Sequence, residues 1–257
     1  MPGPAARRAD RPPVLVVAGL DPSGGAGLAA DLEALAAVGA RGLPVAAALT
    51  AQGPRGARAS EPVSPAFLRA QVSALLAGAG RRDLPRAVKT GMLGTAENAA
   101  ALTRLLSRGP LSRVPLVVDP VLAATSGLPL LRGLVARAAL GPLLTRAALL
   151  TPNLPELAQL TGLPVATDEQ AVAAARSLRC PAVLVKGGHR RGAPVDLLVT
   201  AGRVWRFEGH RRKGTARGTG CRLASAIAGL VARGASLPEA VRGAREVVER
   251  YLDEAHR

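Results

Sequence analysis

Cys221 is the residue in this chain best placed to do chemistry. It follows Gly218, Thr219 and Gly220, and an apolar repeat at Leu223, Ala226, Ile227, Leu230 and Val231 follows it. The pattern reads as a glycine turn opening a helix. The first turn of a helix leaves backbone N–H groups unpaired, and the helix dipole adds partial positive charge there, so the turn favours a bound or developing anion. A thiol at that point is expected to have a lowered pKa and to act as base or nucleophile near neutral pH. The competing reading is a C-cap glycine followed by a small buried cysteine.

Other polar and glycine-rich groups recur at intervals: Gly19 and Asp21; Gln52; Lys89, Gly91 and Met92; Asp119; Thr151, Asn153 and Glu156; Lys186, Gly187, Gly188 and His189. The stretch GLDPSGGAGLAAD (residues 19–31) lacks the Lys-Ser/Thr of a phosphate loop and the spacing of a dinucleotide fingerprint. Gly24, Gly25 and Gly27 instead let a small ligand approach the backbone, and Asp21 before Pro22 also suits a plain turn. Asn153 followed by Glu156 matches a helix capping box, but an amide and a carboxylate there would equally order water around Mg²⁺. Asp119 is open to the same two readings. Lys186 beside two glycines suits a phosphate, or simply solvent. His189 and His210 receive no role. No Cys/His spacing fits zinc, and no Gly-x-Ser-x-Gly elbow is present.

These groups need a frame. Short β-branched and Leu-rich runs alternate with Ala/Leu helical patterns, which predicts an α/β fold with a mostly parallel sheet between helical layers. Strands are expected at 14–18, 44–50, 87–90, 116–118, 148–151 and 182–186, with a hairpin at 196–200 and 203–208. Helices are expected at 25–38, 65–77, 96–107, 131–139, 154–161, 168–178, 222–233 and 237–255. On this frame the chemical groups all fall at the carboxyl ends of strands, the edge at which open parallel sheets bind ligands.

Composition narrows the classes. The 257 residues, 48% hydrophobic, can bury one substantial core. Residues 1–13 read as a disordered tail without a signal-peptide core, and residues 14–257 as a single domain. The absence of an apolar run of membrane-spanning length points to a cytoplasmic protein with no membrane partner. Cys180 and Cys221 are expected to be free thiols. The net charge of +16 invites nucleic acid, but the arginines are scattered, and one Trp, one Tyr and two Phe make no stacking platform.

Taken together, AGLDPSGGAG (18–27), AALTAQ (47–52), VKTGML (88–93), VVDPV with TSG and LL (117–131), LLTPNLPEL (149–157), VLVKGGH (183–189) and GTGC (218–221) resemble the hydroxymethylpyrimidine kinase / phosphomethylpyrimidine kinase family, within the ribokinase-like superfamily. The motifs occur in family order and cover nearly the whole chain after residue 13. The resemblance implies a three-layer α/β/α fold and ATP-dependent phosphorylation of 4-amino-5-hydroxymethyl-2-methylpyrimidine to its monophosphate and then its diphosphate, in thiamine biosynthesis. It implies Cys221 as base over an anion-stabilising turn of Gly218, Thr219 and Gly220. It implies a pyrimidine site with Gln52, Asp21, Gly19, Gly25 and Met92, and a nucleotide site with Lys186, Asn153, Asp119 and Thr151. Mg²⁺ would be held by Glu156 and Asn153. A homodimer follows from the same resemblance.

The chain departs from the family pattern at Arg217 (commonly His), Arg222 (Thr or Ser), Leu128 (an acid) and Ala29 (Gln). A cation in a helix's first turn is disfavoured by about 0.3–1 kcal/mol, so Arg222 is expected either to meet an anion or to point to solvent. A pyridoxal kinase on the same frame, or a weakly catalytic pyrimidine-binding regulator, are the alternative readings.

Overall fold

β1 (Pro13–Leu20) reads PVLVVAGL and is buried along almost its whole length. Leu15 and Val17 enter one apolar cluster, while Val14, Val16 and Ala18 enter another on the opposite face. A strand covered on both faces lies between helical layers, and such strands read as continuous apolar runs. The computed structural model describes residues 11–53, 56–122, 131–132, 136–188, 193–210 and 216–255.

After β1 come α1 (Gly27–Ala37), β2 (Arg41–Gly53), β3 (Gly56–Pro62), α2 (Pro65–Leu76), β4 (Ala87–Thr90), β5 (Gly94–Thr95) and α3 (Ala96–Leu106). A 3-10 turn, Gly109–Leu111, leads to β6 (Leu116–Val118), β7 (Leu131–Arg132), α4 (Ala136–Arg146), β8 (Leu149–Leu150), α5 (Leu154–Thr161) and α6 (Asp168–Arg176). The chain closes with β9 (Ala182–Val185), β10 (Val195–Thr200), β11 (Val204–Glu208), α7 (Thr219–Ala232) and α8 (Leu237–Glu254).

The main sheet has nine strands in the order β11-β10-β9-β8-β6-β4-β1-β2-β3. The pairs from β2 through β9 are parallel, and antiparallel β3 and the β10–β11 hairpin close the two edges. One apolar cluster joins the sheet to α2, α3, α4, α5 and α6, and the other joins it to α1, α7 and α8. This is the expected three-layer α/β/α arrangement.

Four local expectations are corrected. β1 begins at Pro13, inside the expected tail, because the carbonyls of Pro12 and Pro13 accept from the N–H groups of Arg41 (3.0 Å) and Arg86 (2.8 Å). β3 was not expected, since GARASEP has neither apolar alternation nor β-branched residues; its pairing with β2 supplies what propensity does not. The helix expected at 131–139 is instead a short strand, β7 on β5, followed by α4. α4 follows the buried repeat Leu140, Leu143, Leu144 and Ala147, in spite of Pro142 in its interior. α7 starts at Thr219, earlier than the expected 222, because Gly218 takes a left-handed conformation (φ 73°) and turns the chain straight into the helix. The TSG segment, Leu128 and His189 lie outside the described residues.

Candidate active site

The carboxyl ends of the parallel strands surround a cavity of about 850 Å³. Strand order sets its long axis. Gln52 from β2 and Gly19 and Asp21 from β1 stand at one end, Gly188 and Pro194 beside β9 and β10 at the other, and Lys89, Asp119 and Asn153 between. The N-terminus of α7, with Gly218, Thr219, Gly220 and Cys221, lines the same cavity.

Two irregularities aim residues into it. The β1–β2 register shifts between Ala18 and Gly19, and the β2–β3 register shifts between Ala51 and Gln52. Such bulges bend a strand and redirect its side chains. Met92 packs on Ala48 and Val121, and a Cβ on Gly19 would come within 2.9 Å of its sulfur. Val121, just past Asp119, has φ 30°, a strained value for a β-branched residue lining a site.

At the middle of the cavity Lys186 Nζ donates to Asp119 Oδ1 at 2.8 Å and lies 3.9 Å from Glu156 Oε2. Burial alone would lower the Lys186 pKa, but the carboxylates of Asp119 and Glu156 outweigh it and hold the ammonium above its usual range. Burial pushes the Glu156 carboxyl up, against the pull of Lys186. Gly220 faces this cluster, since a Cβ there would sit 3.2 Å from Lys186 Nζ and 3.9 Å from Asp119 Oδ2. The anion-accepting helix terminus and the carboxylate–lysine cluster therefore share one space.

Thr151, expected at the nucleotide site, is fully buried beneath it, its hydroxyl shared between Val118 O (3.4 Å) and Asp119 Oδ1 (3.3 Å). Asn153 and Glu156 do form the capping box of α5, each side chain accepting from the other's backbone N–H at 2.8 Å. Gly25 is not part of the cavity wall; its missing Cβ leaves room for the Arg217 guanidinium, 2.5 Å from that position. Asp21 makes a turn, accepting from Ser23 N (2.9 Å) and Ser23 Oγ (2.7 Å), and also pairs with Arg217 Nη2 at 2.6 Å.

Cys221 behaves otherwise than its position on the helix led one to expect. Burial pushes its thiol up to about 11, and the nearby Lys89 ammonium and the Gly27 N–H offset this only in part. A thiol so shifted is protonated at neutral pH in the ligand-free protein. Arg222 does not point to solvent, and the anion it meets is a carboxylate of the chain itself. It is buried, stacked 3.7 Å above the Tyr251 ring centroid and paired with Glu33 at 2.5 Å.

Sequence reasoning left several lining residues without a role. Lys89 was placed at the sheet edge, but its buried partner Asp31 lies in a helix far away in sequence, and no local signal joins them. Arg245, Val248 and Leu252 reach the cavity from α8, an amphipathic helix that looks like any other in sequence. His210 also lines it.

The architecture and this cavity define a phosphotransferase of the ribokinase-like type, in which a helix N-terminus faces a charged cluster across the strand ends. A family model described as phosphomethylpyrimidine kinase matches residues 21–257, and the chain belongs to that family. It is 41% identical over 241 residues to the hydroxymethylpyrimidine/phosphomethylpyrimidine kinase of Streptomyces coelicolor, covering 92% of this chain and 87% of that one. The phosphomethylpyrimidine kinase structure from Clostridium difficile superposes with a TM-score of 0.78 at 33% identity, covering 96% of this chain and 100% of that one. The ADP complex of Bacillus subtilis pyridoxal kinase gives 0.80 at 27% identity, covering 92% and 89%. The chain is a kinase of thiamine biosynthesis, acting on hydroxymethylpyrimidine and its monophosphate with ATP as co-substrate.

Proposed function

We propose how this chain's own residues divide the two phosphorylations. The observation that carries the reading is the convergence of Cys221 and the Gly218–Gly220 turn with Lys186 and Asp119 in the middle of one cavity, with Gln52 at one end of it. Gln52 offers both donor and acceptor to an aminopyrimidine edge, while Met92, Gly19 and Val121 shape the apolar wall around it. The N–H groups opening α7 stabilise charge on the phosphoryl group in flight. Lys186 serves the nucleotide phosphates; Pro194 lines the end remote from Gln52, and Val248 and Leu252 of α8 line the same cavity.

Magnesium suits Asp119 and Glu156, two buried carboxylates of the oxygen type this ion prefers. Among the described residues no group of three or more His, Cys, Asp or Glu is set to hold a metal. Phosphate and water would supply the remaining ligands of such an ion, which would neutralise phosphate charge there. Asn153 and Glu156 hold each other in place through the α5 capping box, and the same pair stands where it would meet the ion or its water.

Cys221 takes the hydroxymethyl proton as the first phosphate ester forms. With its thiol pushed up to about 11, the thiolate is a minor species at neutral pH, and Lys89 is the cation in place to favour it. The second acceptor is a phosphate oxygen, already ionised, and needs no base. A homodimer and a cytoplasmic setting belong to the same reading; light scattering of the purified chain measures the first.

The test is a mass-spectrometric time course with Mg²⁺, ATP and equimolar hydroxymethylpyrimidine and pyridoxal. Pyrimidine monophosphate followed by diphosphate is expected. Phosphorylated pyridoxal alone would transfer the chain to the second reading, which the likeness to pyridoxal kinase structures supports.

A further inference from the structure

Arg217 precedes the turn that opens α7, yet its side chain belongs to the other end of the cavity. Nη2 donates to Asp21 Oδ2 and Ser23 Oγ, each at 2.6 Å, in the loop between β1 and α1. Nη1 donates to the carbonyl of Gly53, the last residue of β2 and the neighbour of Gln52. The Arg217 carbonyl is itself held, accepting from Tyr251 Oη at 3.1 Å and from Arg222 Nη1 at 3.4 Å. One guanidinium thus joins three segments that line the cavity: the α7 turn, the β1–α1 loop and the end of β2.

We propose that Arg217 is a positioning residue for Gln52, setting where the pyrimidine-binding amide stands relative to the transfer turn. β2 needs such a tie. Its register with β3 shifts between Ala51 and Gln52, and past the shift two pairs, Gln52 with Ala57 and Gly53 with Gly56, carry the ladder to the end of β2, where the guanidinium meets it. A planar guanidinium supplies donors in a fixed fork and can span acceptors on two segments at once. An imidazole, the side chain the family resemblance leads one to expect here, has one nitrogen on each side of a small ring and cannot reproduce that span.

Charge bears on the same point. The Asp21 side chain is 3% exposed and sits against the guanidinium, so the cation is already neutralised inside the protein. A residue so paired acts by placement. It therefore serves the neutral alcohol of the first phosphorylation and the anionic monophosphate of the second to the same degree.

The inference rests on the pyrimidine kinase reading, so the experiment has one arm that does not. Arg217→Ala, Arg217→Lys and the parent protein are compared by KM and kcat for hydroxymethylpyrimidine and for its monophosphate at saturating ATP and Mg²⁺. Hydrogen exchange is followed at the backbone amides of residues 49–53. Arg217→Ala is expected to raise both KM values by a common factor, roughly tenfold, equivalent to about 1.4 kcal/mol. The change in kcat is expected to be smaller, exchange at residues 51–53 faster, and Arg217→Lys intermediate. In a Gln52→Ala background the same substitution is expected to add less than twofold to KM, because the group it positions is gone.

A KM increase confined to the monophosphate would overturn the proposal and make Arg217 a phosphate ligand. Unchanged exchange with unchanged KM would overturn it in favour of a solvated ion pair, as would a full effect in the Gln52→Ala background. If the parent protein phosphorylates no pyrimidine while exchange at 51–53 still accelerates in Arg217→Ala, the tie to β2 stands and the functional reading falls.

Discussion

Lys89 and Asp31 form an ion pair with neither side chain exposed, Nζ lying 2.7 Å from Oδ1. Ser225 Oγ donates to the same oxygen at 2.7 Å, while Oδ2 has no hydrogen-bond partner among the described residues. Burial would drive Lys89 toward its neutral form, but Asp31 outweighs this and holds the ammonium above its usual range. Lys89 also lines the cavity beside Gly91. Removing one partner strands a buried charge, and Asp31→Leu or Lys89→Met alone is expected to cost about 3–5 kcal/mol of stability. The double substitution is expected to cost clearly less than the sum, as urea denaturation of the three variants would measure. Full additivity would mean that the two charges do not depend on each other.

The pH dependence of the two phosphorylations separates them. With the Cys221 thiol pushed up to about 11, the rate of the first step at saturating substrates is expected to climb steadily from pH 7 to pH 9. The second step is expected to stay level over the same range. Cys221→Ala is expected to lower the first rate more than the second and to flatten its rise. Equal losses in both steps would leave the thiol a positional role.

Glu156 both caps α5 and, in the proposed function, meets magnesium. Glutamine keeps the cap geometry and loses the charge. Glu156→Gln is therefore expected to hold thermal stability within about 0.5 kcal/mol of the parent while raising several-fold the Mg²⁺ concentration for half-maximal activity. Glu156→Ala is expected to lose about 1 kcal/mol as well. An unaltered Mg²⁺ requirement in Glu156→Gln would confine this residue to the cap.

Arg222 fastens three helices, reaching Glu33 of α1 and the Tyr251 ring of α8 from the first turn of α7. Arg222→Ala is expected to cost about 1–3 kcal/mol, since both the buried stack and the covered stem are lost. Arg222→Lys should recover little, because an ammonium lacks the flat face. Chemical denaturation reads both.

Alkaline pH should weaken the fold through its thiols. Burial pushes Cys180 from 9.0 to about 11. A folded value above the unfolded one means that the contribution is fully present below pH 9 and is lost as pH rises from about 9 to about 11. Cys180→Ala is expected to make the melting temperature fall less steeply across that window.

What the sequence disclosed and what it withheld divide along physical lines. The buried strands were legible because runs such as VLVVA and AVLV are continuous and apolar, and the site motifs were legible because each interrupts such a run. β3 was not, since its strand character comes from pairing with β2. The thiol's protonation was misjudged because the helix terminus is visible in sequence, whereas the depth of burial is not. The destinations of Arg217 and Arg222 were hidden for the same reason: their acceptors at Asp21, Gly53 and Glu33 are brought near by the fold.

α7 has one more consequence, and it concerns the order in which the chain is made. Its residues Leu223, Ala224, Ala226, Ile227 and Ala228 share a cluster with Val14, Val16 and Ala18 of β1, so the first strand is covered in part by a helix synthesised long after it. A nascent chain that has already laid down β1, β2, β4 and β6 has this sheet face covered by α1 alone. Until α7 and α8 leave the ribosome that face is open to chaperones and to other unfinished chains. Translation stalled before residue 219 is therefore expected to leave an aggregation-prone sheet, and the same helix that completes the cavity closes much of that face.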